Sequence, residues 1–145
     1  MDFLTIKNVI CGAFGVACGA IVGALGGWDM ALEALVVCMI VDFISGFIVA
    51  SVFHNSPKTE TGTATSEVIR QGLSRKCMML LFVFVGYELE LTSGSEFIRE
   101  SIIYGFIANE LLSITENAGL MGIPLPAAIT NAVELLKQKA EGDKK

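Results

Sequence analysis

The chain has 145 residues, is 53 % hydrophobic and 17 % charged, and carries a formal net charge of −5. Charged residues fall below the roughly 25 % of an average soluble domain, and mean hydropathy is +0.65, which is the profile of a small integral membrane protein. Basic residues are few and not clustered with aromatics, so nothing points to nucleic acid as a partner.

In chain order, a short start with Asp2 and Lys7 gives way to an apolar run, Val9–Gly27. Gly15, Gly19, Gly23 and Gly27 recur every four residues and would line one helix face, where small residues let membrane helices approach closely. Such glycine content would ruin a helix in water, but in lipid the backbone must satisfy itself, so a helix is still favoured. A cleaved signal peptide is the competing reading, with a single Lys ahead of the run and a poor lipoprotein-like site at Gly15-Val16-Ala17-Cys18. Trp28 and Asp29 mark an interface and a turn. A second apolar run, Met30 to Phe53, is long enough to cross ~30 Å of hydrocarbon with some tilt. Asp42 sits at its centre, out of reach of headgroups, with Ser45 and Gly46 following.

Residues 54–66 form a polar stretch rich in Thr and Ser, with Pro57 and Gly62. From about Glu67 a helix is plausible and runs into a third apolar run, Cys77 to Leu91, which is short for a bilayer unless extended at either end. A tight connection around Gly94 leads to a fourth run, about Phe97 to Ala118, closed by Gly119, Gly122, Pro124 and Pro126. This run carries Asn109, Glu110, Ser113, Glu116 and Asn117, which at about 100° per residue fall within roughly a 120° sector. Ionisable groups at bilayer depth are costly and face protein or water, so this helix needs partners. The tail reads as a short amphipathic helix, lying on the membrane or on the protein, with a charged end.

The expected architecture is therefore an all-α integral membrane protein, one membrane domain with spans at about 9–28, 30–53, 74–91 and 97–118. Three spans remain if the Gly-rich first one is peripheral or removed. A loop over 54–73 and a tail over 119–145 fall on the cytoplasmic side, because Lys7, Lys58, Arg70, Arg75, Lys76 and the tail lysines then lie inside and Arg99 alone outside. This N-in, C-in arrangement makes Arg70, Arg75 and Lys76 topology determinants and lipid anchors. Cys11, Cys18, Cys38 and Cys77 lie in or beside apolar runs and read as buried thiols. No catalytic, cofactor-binding or metal-ligating constellation is legible. A single His54 has no nucleophile at a recognisable motif, and the Gly repeat is no phosphate loop.

Three segments resemble a known family. Asp42-Phe43-Ile44-Ser45-Gly46 is similar to the D-[YF]-x-[TS]-G signature of the phage lysis holins that include clostridial toxin-secretion holins. Gly72-Leu73-Ser74-Arg75-Lys76 resembles that family's G-[LI]-x-[RK]-K entry to the next span. Asn109 to Gly119, followed by Gly122-Ile123-Pro124-Leu125-Pro126, resembles its most distinctive segment, N-E-x-x-S-[IL]-x-E-N-x-x-x-x-G-[LIV]-P-[IL]-P. The resemblance covers about Leu35 to Leu136 and implies a non-enzymatic protein of the bacterial cytoplasmic membrane. Its members accumulate, form homo-oligomers, and open lesions that release an endolysin or a toxin. An antiholin, or a small oligomeric channel or transporter subunit, is the alternative.

For the polar residues two readings stay open. Asp42, Ser45 and Gly46, together with Asn109, Glu110, Ser113, Glu116 and Asn117, form either an oligomer or lesion face, or hydrogen bonds that fix packing within one subunit.

Overall fold

A computed structural model describes residues 2–54, 56–57 and 63–140, apart from the side chains of Thr130, Val133, Lys137 and Ala140. Lys58 and Gly62 of the polar loop, and Lys144 and Lys145 of the tail, lie outside the described residues. The described residues form helices without strands: α1 (Phe3–Ala24), α2 (Met30–Ile48), α3 (Ser66–Ser93), α4 (Ile98–Leu120) and α5 (Ala127–Ala140). A π-helical turn, Val49–Phe53, continues α2 without a break.

Each helix begins and ends for local reasons. α1 stops because Gly26 and Gly27 take left-handed backbone, φ 86° and 95°, a region that costs glycine nothing. Asp29 then caps α2, its carboxylate accepting the backbone N–H of Leu32 at 2.8 Å. Thr65 caps α3 in the same way through Val68. With no proline between Thr65 and Gly94, α3 runs unbroken for 28 residues through Gly72 and Gly86. Residues 66–73, part of the segment assigned to the cytoplasmic side, are helical, in line with the helix expected from about Glu67. Gly94, at φ 71°, ends α3, and Gly122 follows the end of α4 at φ 75°.

The hub is α4, against which α2, α3 and α5 all pack. Leu32, Leu35 and Met39 of α2 recur at helical spacing and meet Ile103 and Ile107 of α4 and Val83 of α3 in one buried cluster with Leu25. α3 and α4 approach closely at Gly86, where an added Cβ would stand 2.6 Å from Ile102 Cδ1 and 3.3 Å from the Arg99 Cα. The rings of Phe82 and Phe106 meet nearby in a tilted arrangement, 6.2 Å between centroids. α5 folds back along α4: Leu136 packs on the core and the Lys139 ammonium lies 5.2 Å from the Tyr104 ring centroid. Of the two seats expected for the amphipathic tail helix, the protein surface is the one it takes.

α1 stands apart, with none of its residues buried. Among the described residues two helical stretches are long and apolar enough to cross a membrane, Phe3–Ala24 and Met30–Phe53. At 1.5 Å per residue α3 and α4 reach ~42 and ~34 Å, but their polar residues keep both below the apolarity of the first two.

A clasp centred on Arg99 holds the end where α1 meets α2. Its guanidinium donates to the Leu25 carbonyl at 2.5 Å, the Gly27 carbonyl at 3.2 Å and the Asp29 carboxylate at 2.5 Å. The Arg99 backbone N–H meanwhile donates to Glu90 at 2.8 Å. The side chain is almost wholly buried, so these bonds satisfy a charge that water no longer reaches. Gly26 is required here: a Cβ would come within 2.8 Å of both Arg99 Nε and the Tyr87 ring.

Burial of Asp29 works against its charged form, but the Leu32 N–H and the Arg99 guanidinium outweigh it and hold the carboxyl below the usual carboxylate range. A group depressed in the folded state stabilises above its unfolded pKa and loses that contribution as pH falls. Thermal unfolding of the detergent-solubilised protein is expected to show the clasp intact above about pH 4 and weakening below it, with that acid dependence reduced in Asp29→Asn. Arg99→Met removes charge-assisted bonds worth roughly 2–3 kcal/mol, read as a lower melting temperature at neutral pH.

Candidate functional site

The opposite half of the bundle holds a polar cluster drawn from three helices. On α4 the core-facing positions run Arg99, Ile103, Ile107, Glu110 and Asn117, all buried. One stripe is thus apolar toward the N-terminus and polar toward the C-terminus. Across from it, α2 presents Asp42, Ser45 and Gly46, each partly buried. From α3 comes Lys76, on the face that carries Met79, Leu80 and Val83 into the core at helical spacing.

Lys76 is the centre. Its ammonium donates to Asp42 Oδ2 at 2.8 Å and to Glu110 Oε2 at 2.5 Å. Side-chain exposure is 12 % for Lys76, 12 % for Asp42 and 4 % for Glu110, which places all three charges out of bulk water. Asn117 extends the network, its Nδ2 donating to Ser45 Oγ at 2.9 Å and Asp42 Oδ1 at 3.3 Å. Ser45 Oγ donates in turn to the Asp42 carbonyl at 3.1 Å. A Cβ on Gly46 would lie 3.6 Å from Asn117 Nδ2, ordinary contact, so the glycine admits α4 here without being strictly demanded.

Beside the cluster lies a cavity of about 140 Å³ between α2, α3 and α4. Asp42, Lys76, Glu110 and Asn117 line it, with Asn109, Ser113 and Arg75 at its margin and Ser56 and Pro57 closing the loop end. A volume of this size with several polar walls can hold water. The arrangement can keep buried charges paired, and it can present carboxylate, amide and hydroxyl groups to water if the helices part. Among the described residues no group of three His, Cys, Asp or Glu side chains is placed to hold a metal ion.

The residues singled out in the sequence separate into distinct places. Asp42, Ser45, Glu110 and Asn117 come together in one subunit, Gly46 adjoins them, and Ser113 lies at the cavity edge. Asn109 and Glu116 are exposed. Arg70 and Arg75 are exposed on α3, whereas Lys76 turns inward. Cβ atoms added at Gly15, Gly19 and Gly23 would meet nothing within 4 Å among the described residues, and Gly27 lies in the turn rather than on the helix. The inward direction of Lys76 and the clasp of Arg99 were not anticipated. A signal existed for both: Lys76 shares the spacing of Met79, Leu80 and Val83, and Arg99 that of Ile103 and Ile107.

Comparison with known proteins agrees with these motifs. A sequence model of the bacteriophage holin family matches residues 19–138. An uncharacterized protein of Listeria monocytogenes is 29 % identical over 127 residues, covering 86 % of this chain and 85 % of the relative. An uncharacterized protein of Halalkalibacterium halodurans is 32 % identical over 120 residues, covering 77 % and 82 %. A probable holin of Bacillus phage phi105 is 30 % identical over 117 residues, covering 77 % and 81 %. No solved structure matches the chain. The match across most of its length, together with two helices apolar enough to cross a membrane, shows that this chain is a membrane protein belonging to the bacteriophage holin family.

Proposed function

We propose that the protein is a holin of the bacterial cytoplasmic membrane: copies accumulate, assemble, and open lesions through which an endolysin or a toxin leaves the cell. Family membership and the probable holin of phage phi105 support the role. The family is generally non-enzymatic. The observation that carries the mechanism is the Lys76 cluster, because it gives the polar residues of α2 and α4 an intramolecular resting place.

In this proposal the resting subunit keeps Asp42 and Glu110 paired with Lys76, so neither carboxylate meets lipid. As copies crowd, α2 and α4 exchange these partners for neighbours or water, and the stripe of Asp42, Ser45, Glu110 and Asn117 joins Asn109, Ser113 and Glu116 on a lesion wall. Gly46 keeps the α2 and α4 stripes close. The unpartnered face of Gly15, Gly19 and Gly23 on α1 then serves contacts between copies. Interhelical polar contacts average only about 0.6 kcal/mol in lipid, so a repeated stripe, not one pair, sets the geometry.

Four spans with both termini inside remain the favoured insertion, with Arg70 and Arg75 at the inner surface. That arrangement requires α5 to leave α4. In the compact fold the exposed Glu134 and Lys139 of α5 run beside α4 as far as Tyr104. A membrane-spanning α4 would carry them to hydrocarbon depth, at roughly 2.5–3.5 kcal/mol each on insertion scales. Release of α5 to the membrane surface belongs to the same transition.

Two substitutions act in opposite directions. Glu110→Leu leaves Lys76 paired with Asp42, so membrane insertion is expected to persist while timed lysis is abolished; normal lysis timing sinks the lesion-face role. Lys76→Met strands two carboxylates, and breaking a buried pair costs roughly 3–5 kcal/mol, so the resting state weakens and lysis begins earlier. Both are read as the onset of lysis in bacteria co-expressing an endolysin, with expression without endolysin as the control and membrane fractionation confirming equal amounts of protein.

A further inference from the structure

The outward face of α3 has a feature that lesion formation does not use. Arg70, Gln71, Ser74 and Arg75 stand at i, i+1, i+4 and i+5, neighbours on one side of the helix, and with Val68 they line an open groove of about 460 Å³. Glu67, one turn below, is occupied in accepting a hydrogen bond from Gln71 Nε2 at 3.3 Å. The same face continues upward as Met78, Leu81, Phe82, Val85 and Leu89, each about half exposed. Basic and hydroxyl groups therefore give way, on one continuous face, to a half-exposed apolar stripe, whose Phe82 ring meets Phe106 of α4 at one edge. From Met78 to Leu89 that stripe measures ~16 Å at 1.5 Å per residue, against ~15 Å for half of a 30 Å hydrocarbon core.

We propose that this face is a binding site for one anionic phospholipid. The phosphate sits in the groove between Arg70 and Arg75, with Ser74 and Gln71 as further donors, and an acyl chain lies along Met78, Phe82 and Val85. Two guanidiniums match a phosphate in charge and in bidentate geometry. The apolar continuation matches one leaflet in depth, which a soluble phosphate or an acidic peptide would leave uncovered. Lys76, although next in sequence, takes no part, because it is committed to Asp42 and Glu110 on the opposite face. Arg75 lines both the groove and the internal cavity, so a bound headgroup also alters the field at the polar cluster.

The inference rests on the membrane reading but not on lesion formation. Its test is therefore made on the full chain in detergent: native mass spectrometry with phosphatidylglycerol, with phosphatidylcholine, and with phosphatidylglycerol in excess inorganic phosphate. The wild-type protein is expected to retain one phosphatidylglycerol in preference to phosphatidylcholine and to keep it against phosphate. Arg70→Gln with Arg75→Gln is expected to lower that preference about thirtyfold, the equivalent of about 1 kcal/mol for each basic group at an anionic surface, while Arg70→Lys with Arg75→Lys keeps part of it. Equal retention of both lipids by the wild type overturns the proposal whether or not any variant folds. So does undiminished preference in a helical double-glutamine variant, and displacement by phosphate alone assigns the groove to a free anion and overturns the lipid. Failure of lysis in cells with lipid retention intact removes the holin reading and leaves this one standing.

Discussion

The ammonium of Lys76, set between Asp42 and Glu110, is the constraint on which the polar half of the structure depends. α2 and α3 each pack chiefly on α4, and the two meet mainly through side chains of the shared core. A cation placed between a carboxylate of α2 and one of α4 adds a directional link at the polar end and fixes the rotation of α3 about its axis. Buried ion pairs are poor sources of net stability, because desolvation offsets much of the attraction. What this one contributes is register: sliding any of the three helices by a turn would leave a charge unpaired in a poorly solvated place.

The Arg99 clasp does comparable work at the other end by different means. There a buried cation meets mainly backbone carbonyls, those of Leu25 and Gly27, released where α1 ends. The glycines that end α1 also expose those carbonyls and make room for the guanidinium. The turn, the cap of α2 by Asp29 and the start of α4 thus form one unit. α1 extends from it without a buried residue, a long apolar helix whose surface is covered by little among the described residues. In the proposed function that surface is what neighbouring copies and lipid meet.

In the proposed function the protein is first harmless and then opens a membrane, which needs polar groups that can be hidden and later shown. The stripe on α4 has that character. Its inward members, Glu110 and Asn117, are bonded within the subunit, while Asn109 and Glu116 are already exposed. In the proposed transition, rotation or separation of α2 and α4, together with release of α5, enlarges that polar face, with the cavity beside the cluster as the place where water first enters.

Most of the helical framework, the polar stripe and the family were legible in the sequence, since periodicity, capping residues and the segments from Asp42 and Asn109 are local signals. The continuous α3 was partly legible: polar composition over 54–66 set the loop, and only the Thr65 cap decided where it ended. Which way each polar residue turned left only a faint trace, in the spacing that Lys76 shares with Met79, Leu80 and Val83. Arg75 and Lys76 are adjacent, alike in charge and equally suited to a membrane surface, yet one lies outside and the other inside the bundle. The difference of about 100° between neighbouring positions on a helix becomes a difference of environment only when α2 and α4 are in place to supply the carboxylates. The sequence by itself determined that these charges exist in an apolar chain and must find partners; the tertiary structure alone decided which partners, because pairing across 34 residues in each direction depends on how three helices meet, and local spacing can mark an inward face but not the residue it meets.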